Sequence, residues 1–242
     1  MEASTSDIAI LLFAHAPAEE IKYKSFVEEQ ERINFKIAKA LLKQTARVAA
    51  ASGLPVVTIL SDQQQGNTFG ERLANAFLAV FEAGYQRVIC IGSDCPTLRV
   101  SNLQRANEEL NEHNIVLGPA TDGGVYLIGL HINSFEPESF SMLSWQSANV
   151  LQELTIYSYR LHSCMDCISL LQVKSDVDCS EDFKKALNRL PARSRLKRKL
   201  LTILLNEYTF RTFPKSILRP FEHYLQEVLL RAPPLFFLFE LL

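Results

Sequence analysis

The sequence predicts an α/β protein of three layers, a mainly parallel sheet between two layers of helices, with a helical appendage at its C-terminal end. Three observations carry that reading. Short apolar runs such as IAILLFA (8–14) and RVICIG (87–92) lack the polar alternation of a half-exposed strand, as strands covered on both faces do. They alternate with longer segments whose apolar residues recur at helical spacing. Near residue 191 the composition changes, to the basic, amphipathic PARSRLKRKLLTILLNEYTFR and then the apolar APPLFFLFELL. The sheet domain is therefore expected over 1–192 and the helical extension over 193–242.

Residues 8–14 are the first strand. Residues 27–52, rich in Ala, Lys, Glu and Gln, read as a long helix, and Gly53 sits where a C-terminal cap belongs. PVVTIL (55–60) reads as a second buried strand, followed by the loop SDQQQGN. Thr68-Phe69-Gly70-Glu71 has the S/T-x-x-E form of a capping box. Behind it Phe69, Leu73, Ala76, Phe77, Val80 and Phe81 mark a helix that Gly84 closes. The third strand is 87–92. Ser101 and Gln104 give a second capping box, opening a helix to about His113. IVLGPA (115–120) and VYLIGL (125–130) are the fourth and fifth strands, and ISLLQV (168–173) is a late one. Helices are expected at 145–160 and 180–190.

Composition excludes some functions. A formal net charge of −2 provides no global basic field for nucleic acid or an anionic membrane. No window reaches the 18 or so apolar residues of a membrane span, and the N-terminus lacks the basic region of a signal peptide, so a cytoplasmic location is expected. Five cysteines, an odd number in a chain of this size, read as free thiols. Cys164 and Cys167 form a lone C-x-x-C with only His162 nearby, which is too few ligands for zinc. The run Arg193 to Lys199 reads as a solvated helix face. The extension as a whole reads as packing on its parent domain, or as a surface for a second copy in a homodimer or for a membrane.

The dinucleotide-binding G-x-G-x-x-G, the phosphate loop G-x-x-x-x-G-K-[ST] and the G-x-S-x-G nucleophile turn are all absent. What remains is a set of acids and glycines at strand ends, where open α/β sheets bind ligands. Asp94 lies just past the third strand, in Gly92-Ser93-Asp94-Cys95-Pro96. It suits magnesium or manganese, which take one or two carboxylates and complete their shells with water and substrate phosphates. A turn-forming Asp before Pro96 is the alternative. Thr121-Asp122-Gly123-Gly124 joins two strands. Its glycines permit close backbone approach to a ligand, or simply make a turn. Asp176-Val177-Asp178 precedes a helix; Asp178 reads as the N-cap with Glu181 as its capping partner, which leaves Asp176 for a metal.

Together these stretches resemble a known family. Gly92-Ser93-Asp94-Cys95-Pro96-Thr97-Leu98, then Leu117-Gly118-Pro119-Ala120 and Asp122 to Leu130 (DGGVYLIGL), look like the transferase 1 family associated with radical-SAM and selenium-domain proteins. That family is glycosyltransferase-A-like, within the nucleotide-diphospho-sugar transferase superfamily, and is similar to the guanylyltransferases of the molybdenum and deazaflavin cofactors. Gln65-Gly66, Phe69 to Leu73, Trp145-x-Ser147, and Asp176 to Asp178 with Glu181-Asp182 add to the match, which spans roughly residues 8 to 190. The resemblance implies a Rossmann-like sheet and a metal-dependent transferase using a nucleotide or nucleotide-sugar donor. It implies Mg²⁺ or Mn²⁺ at Asp94, joined by Asp176, with Asp94 and Asp122 as catalytic acids. Ser93, Arg72, Gly123, Gly124 and Tyr126 would line the substrate, Gly123 with Asp122 on the acceptor or sugar side.

The chain departs from the family after the first strand. The usual F-A-K-x-P, then a glycine and K-T-R-L, is here Phe13-Ala14-His15-Ala16-Pro17-Ala18-Glu19-Glu20-Ile21-Lys22-Tyr23-Lys24. His15 replaces the first lysine, Lys22 or Lys24 stands in for the second, and Glu19 and Glu20 would repel a triphosphate. The alternative expectation is therefore a degenerate member that binds or scaffolds without turnover.

Overall fold

Ile8, Ile10 and Leu12 of the first strand, β1 (Ile8–Ala14), belong to one buried cluster, and Ala9, Leu11 and Phe13 to another. Side chains alternate across a strand, so β1 is covered on both faces. The computed structural model describes residues 6–163 and 167–212. Cys164 of the C-x-x-C motif and the APPLFFLFELL tail lie outside the described residues.

The sheet has six strands in the order β2-β1-β3-β5-β4-β6, with β2 (Val56–Leu60), β3 (Arg87–Ile91), β4 (Ile115–Pro119), β5 (Val125–His131) and β6 (Ile168–Leu170). The β1–β2, β1–β3 and β4–β6 pairs are parallel; β5 alone runs against its neighbours. The expected three-layer, mainly parallel α/β architecture is the observed one. The cluster on one face joins Phe13, Val88 and Leu117 to α3 (Phe69–Glu82), α5 (Pro137–Ser141) and α6 (Val150–His162), through Phe77, Phe140 and Leu154. The cluster on the other face joins Ile10, Ile89 and Val116 to Val48 of α2 (Glu31–Ala50) and Leu103 of α4 (Val100–Glu109).

The capping box forms as expected: Glu71 N–H donates to Thr68 Oγ1 at 3.1 Å, and Thr68 N–H to Glu71 Oε2 at 3.3 Å. Gly53 and Gly84 take positive φ at their helix ends. Other boundaries differ. The long helix starts at Glu31, because buried Asn34 accepts from Phe26 and Val27 N–H and donates to Val27 O, holding 26–27 out of the helix. Helix α4 starts at Val100 rather than Ser101, with Asn102 Oδ1 accepting from Arg99 N–H, so the Ser101–Gln104 box does not form. Gln146 at φ 63° delays α6 to Val150. β2 is an edge strand with Val56 37% exposed, not a fully buried one. β6 is the other edge and ends at Leu170, although Leu171 N–H still donates to Leu117 O and Lys174 N–H to Pro119 O.

The chain divides into two units. One comprises residues 1–16 and 42–176 and holds the sheet; the other comprises 17–41 and 177–242. The second is built from α1 (Pro17–Glu20), the first half of α2, α7 (Ser180–Arg189) and α8 (Arg195–Thr212), around Phe26, Ile37, Phe183, Leu187, Leu200 and Leu204. The division does not fall at 192/193. Leu196, Leu200, Leu201, Ile203 and Leu204 of α8 are buried in a core shared with 26–41 and α7, so the start of the extension packs on its own chain. No helix among the described residues is long and apolar enough to cross a membrane.

Candidate active site

β1, β3, β4 and β6 end on one edge of the sheet, and antiparallel β5 begins there. Ile91, the last residue of β3, pairs with Leu12 and Leu127. The next residues, Gly92 to Leu98, leave the sheet between β1 and β5. Leu98 N–H donates to Cys95 O, closing a turn with Pro96 at the position that favours its fixed φ. The turn-forming role read as the alternative for Asp94 falls instead on Cys95–Leu98, and Asp94 precedes that turn. The Asp94 carboxylate folds back on its own loop, where Oδ1 would lie 2.8 Å from a Cβ on Gly92. Ser93 is half-buried beside it.

Cys95 is 4% exposed, and its thiol shows what surrounds it. Burial chiefly, then the negative charges of Asp176 and Asp94, push its pKa up to about 12. The two carboxylates that the sequence nominates for a metal thus act on one thiol. Asp176 has one oxygen, Oδ1, buried. Among the described residues no group of three or more His, Cys, Asp or Glu is placed to hold a metal. Two carboxylates, with water and phosphate oxygens making up the rest, nonetheless match the donor set of Mg²⁺ or Mn²⁺.

The Asp-Gly-Gly stretch forms the β4–β5 connection. Asp122 is exposed; its Oδ1 accepts from Gly124 N–H at 2.9 Å, and Ala120 N–H donates to Gly124 O at 2.9 Å. Gly123 has φ 92°, and a Cβ there would lie 2.0 Å from Ala148 O. The close approach that this glycine permits is to the segment before α6, where Leu151 N–H donates to Gly123 O. Tyr126 is 3% exposed. Its ring lies against Gly118, where a Cβ would meet Cζ at 2.5 Å, and its hydroxyl donates to Gln172 O at 3.1 Å. Burial, with the negative charges beyond it, holds that hydroxyl protonated. These contacts give Tyr126 a packing role.

Two cations on this edge escaped the sequence reading. Lys174 continues the β6 segment, bridged to Ala120, and Thr121 N–H donates to its carbonyl. Its Nζ donates to Thr97 O at 3.4 Å and stands 5.8 Å from the centre of the Tyr126 ring. Burial lowers its pKa, the Cys95 thiol opposes that, and the Arg99 guanidinium adds to it. Arg99 itself is exposed at the start of α4. The signal in the sequence was a lysine two residues before Asp176 at a strand end.

His15 is half-buried immediately after β1, where Ala16 N–H donates to Ser61 Oγ at 3.0 Å and Gln64 Nε2 to Ala14 O at 3.1 Å. Arg72 is half-buried in the first turn of α3. Lys22 and Lys24 belong to the other unit and are engaged there. Lys22 Nζ lies 2.6 Å from Glu19 Oε2, and Lys24 Nζ lies 2.8 Å from Asp178 Oδ1 and 3.3 Å from Glu20 Oε1. Asp178 is not the N-cap of α7. That helix begins at Ser180 with Cys179 as its cap, because the Asp178 carboxylate is drawn to the Lys24 ammonium instead.

Residues 28–147 match the family described as "Uncharacterized protein conserved in bacteria (DUF2064)". Comparison with curated proteins gave no match. Among solved structures, the "putative nucleotide-diphospho-sugar transferase" of Desulfovibrio desulfuricans G20 is 24% identical, with a TM-score of 0.69 over 85% of this chain and 97% of that one. Rv0371c of Mycobacterium tuberculosis H37Rv is 16% identical, with a TM-score of 0.46 over 76% of this chain and 98% of that one. The chain has the α/β fold of the Desulfovibrio protein.

Proposed function

We propose that the protein is a metal-dependent transferase that uses a nucleotide-activated donor, a glycosyl or nucleotidyl transferase of the glycosyltransferase-A type. Its motifs resemble those of the transferase 1 family associated with radical-SAM and selenium-domain proteins. The observation that carries the reading is the place of Asp94, just past β3, and of Asp176, just past the segment that continues β6, at the carboxyl edge of the sheet. Asp94 and Asp176 would hold Mg²⁺ or Mn²⁺; bound there, the ion would neutralise charge developing on the leaving phosphate. The chain's own part is to fix those carboxylates. Gly92 leaves room for the Asp94 carboxylate, the Cys95–Leu98 turn anchors its loop, and the Tyr126–Gln172 bond ties the segment that leads to Asp176 back onto the sheet. Ser93, His15 and Arg72 are candidates to contact the donor, and Asp122 with Gly123 and Gly124 the acceptor or sugar.

Calorimetry with nucleoside triphosphates and nucleotide sugars, with and without Mn²⁺, tests this. Binding is expected only with the metal and is lost in Asp94→Asn. No heat from any member of such a panel would end the proposal.

A second reading is a member that binds without turnover. It is favoured by the engagement of Lys22 and Lys24 with carboxylates, since the lysine pair meant to meet phosphates is already neutralised. Glycosyl or nucleotidyl transfer that disappears in Asp94→Asn would exclude it.

A further inference from the structure

A nucleoside triphosphate donor carries about four negative charges near neutral pH, more than one divalent ion cancels. Lys24 cannot supply the remainder, because it already faces two carboxylates, Glu20 and Asp178. Lys22 has Glu19. On the sheet edge the situation is the reverse. Lys174 Nζ reaches Thr97 O, two residues before exposed Arg99, and among the described residues neither cation forms an ion pair with a carboxylate. Two cations at one loop, neither of them ion-paired, form an arrangement that an anion would stabilise.

The Lys174 side chain is also aimed. Its backbone is pinned on both sides, by Lys174 N–H to Pro119 O and Thr121 N–H to Lys174 O. Its Nζ stands over the Tyr126 ring and reaches Thr97 O in the loop that begins with Gly92-Ser93-Asp94. That single hydrogen bond to a carbonyl leaves two of the ammonium's three donors for a ligand. Arg99, exposed, offers a guanidinium fork suited to phosphate.

We propose that Lys174, with Arg99 beside it, holds the phosphate groups of the donor, taking the part that the residues after β1 no longer play. This rests on the donor-binding reading above. The recognised chemistry is a metal-bound di- or triphosphate, whatever base or sugar it carries.

The test is calorimetric, with inorganic pyrophosphate and then CTP and GTP as probes, in 1 mM-range Mn²⁺. Wild type is expected to bind pyrophosphate with the metal. Lys174→Ala should weaken that binding about tenfold or more, the worth of one charge-assisted contact. Lys174→Arg should restore most of it. Arg99→Ala, at an exposed position that does not threaten folding, should weaken it roughly threefold to tenfold and lessen its dependence on salt. Melting temperatures of all three variants check that the fold survives. If Lys174→Ala and Arg99→Ala both bind pyrophosphate as wild type does, the proposal is wrong while the donor-binding reading stands. If Arg99→Ala alone is affected, Lys174 is excluded and the proposal fails as stated. If wild type binds neither pyrophosphate nor nucleotide with metal, both fail together.

Discussion

The carboxylate of Asp94 occupies the space that a side chain on Gly92 would need: its Oδ1 would lie 2.8 Å from the added Cβ. The glycine and the acid of the Gly-Ser-Asp stretch are therefore one device, in which the missing side chain sets where the carboxylate rests. Gly92→Ala is expected to push Asp94 aside with little effect on the sheet beneath. Metal-supported nucleotide binding should fall roughly tenfold, the loss of about one charged contact, with the melting temperature nearly unchanged. Calorimetry alongside thermal unfolding checks this; a variant that binds normally would detach Gly92 from the function of Asp94.

Gly123 is expected to behave differently. Its φ of 92° and the 2.0 Å approach of a Cβ to Ala148 O combine backbone strain with a backbone clash. Gly123→Ala should cost about 3 kcal/mol or more in denaturant unfolding, from strain and overpacking together. Asp122→Ala, which removes an exposed side chain that, among the described residues, accepts only from Gly124 N–H, should cost no more than about 1 kcal/mol. If Asp122 meets the acceptor, its variant loses transfer activity out of proportion to that small cost.

Tyr157 carries a pH prediction. Its hydroxyl accepts from Glu136 N–H at 2.8 Å and donates to Ser134 O at 3.2 Å. Burial, the largest cause, pushes its pKa from 10.0 up to about 12. The unfolded chain releases this proton near pH 10 while the folded chain keeps it, so the folded state binds more protons between those values and loses stability as pH rises. Tyr157→Phe should be about 1–3 kcal/mol less stable than wild type at neutral pH, because Glu136 N–H loses its acceptor. That gap should shrink between pH 10 and about 12. A gap that stays constant over this range in urea unfolding would refute it.

Thiol labelling should separate the described cysteines. Cys179 is exposed, whereas Cys90 and Cys95 are buried and burial holds both thiols protonated. In native protein, alkylation at neutral pH should modify Cys179 and leave Cys90 and Cys95 until denaturant is added, as read by mass spectrometry. Native labelling of Cys95 as fast as Cys179 would mean that the loop carrying Asp94 opens on its own.

The sequence by itself determined the layer architecture. Runs such as IAILLFA have no polar face to offer water, so they must be covered on both sides, and that forces helices onto both faces of the sheet. It determined the Thr68–Glu71 cap and the Gly53 and Gly84 helix ends, because caps involve only neighbours in the chain. It also put Asp94 at a strand end. Only the tertiary structure decided what depends on partners distant in sequence. VVTIL is as apolar as the central strands, and its half-exposure follows solely from its place at the sheet edge. Asp178 has the position of a helix cap, but the Lys24 ammonium, invisible to local reading, claims its carboxylate. Gly123 could serve a ligand or a turn, and only the fold shows that its missing side chain also makes room for Ala148. Lys174 looked like one more lysine before an acid. Its aim toward Thr97 comes from hydrogen bonds to Pro119 and Thr121 across the sheet, and charge placed by such long-range pairing cannot be read from a string of residues.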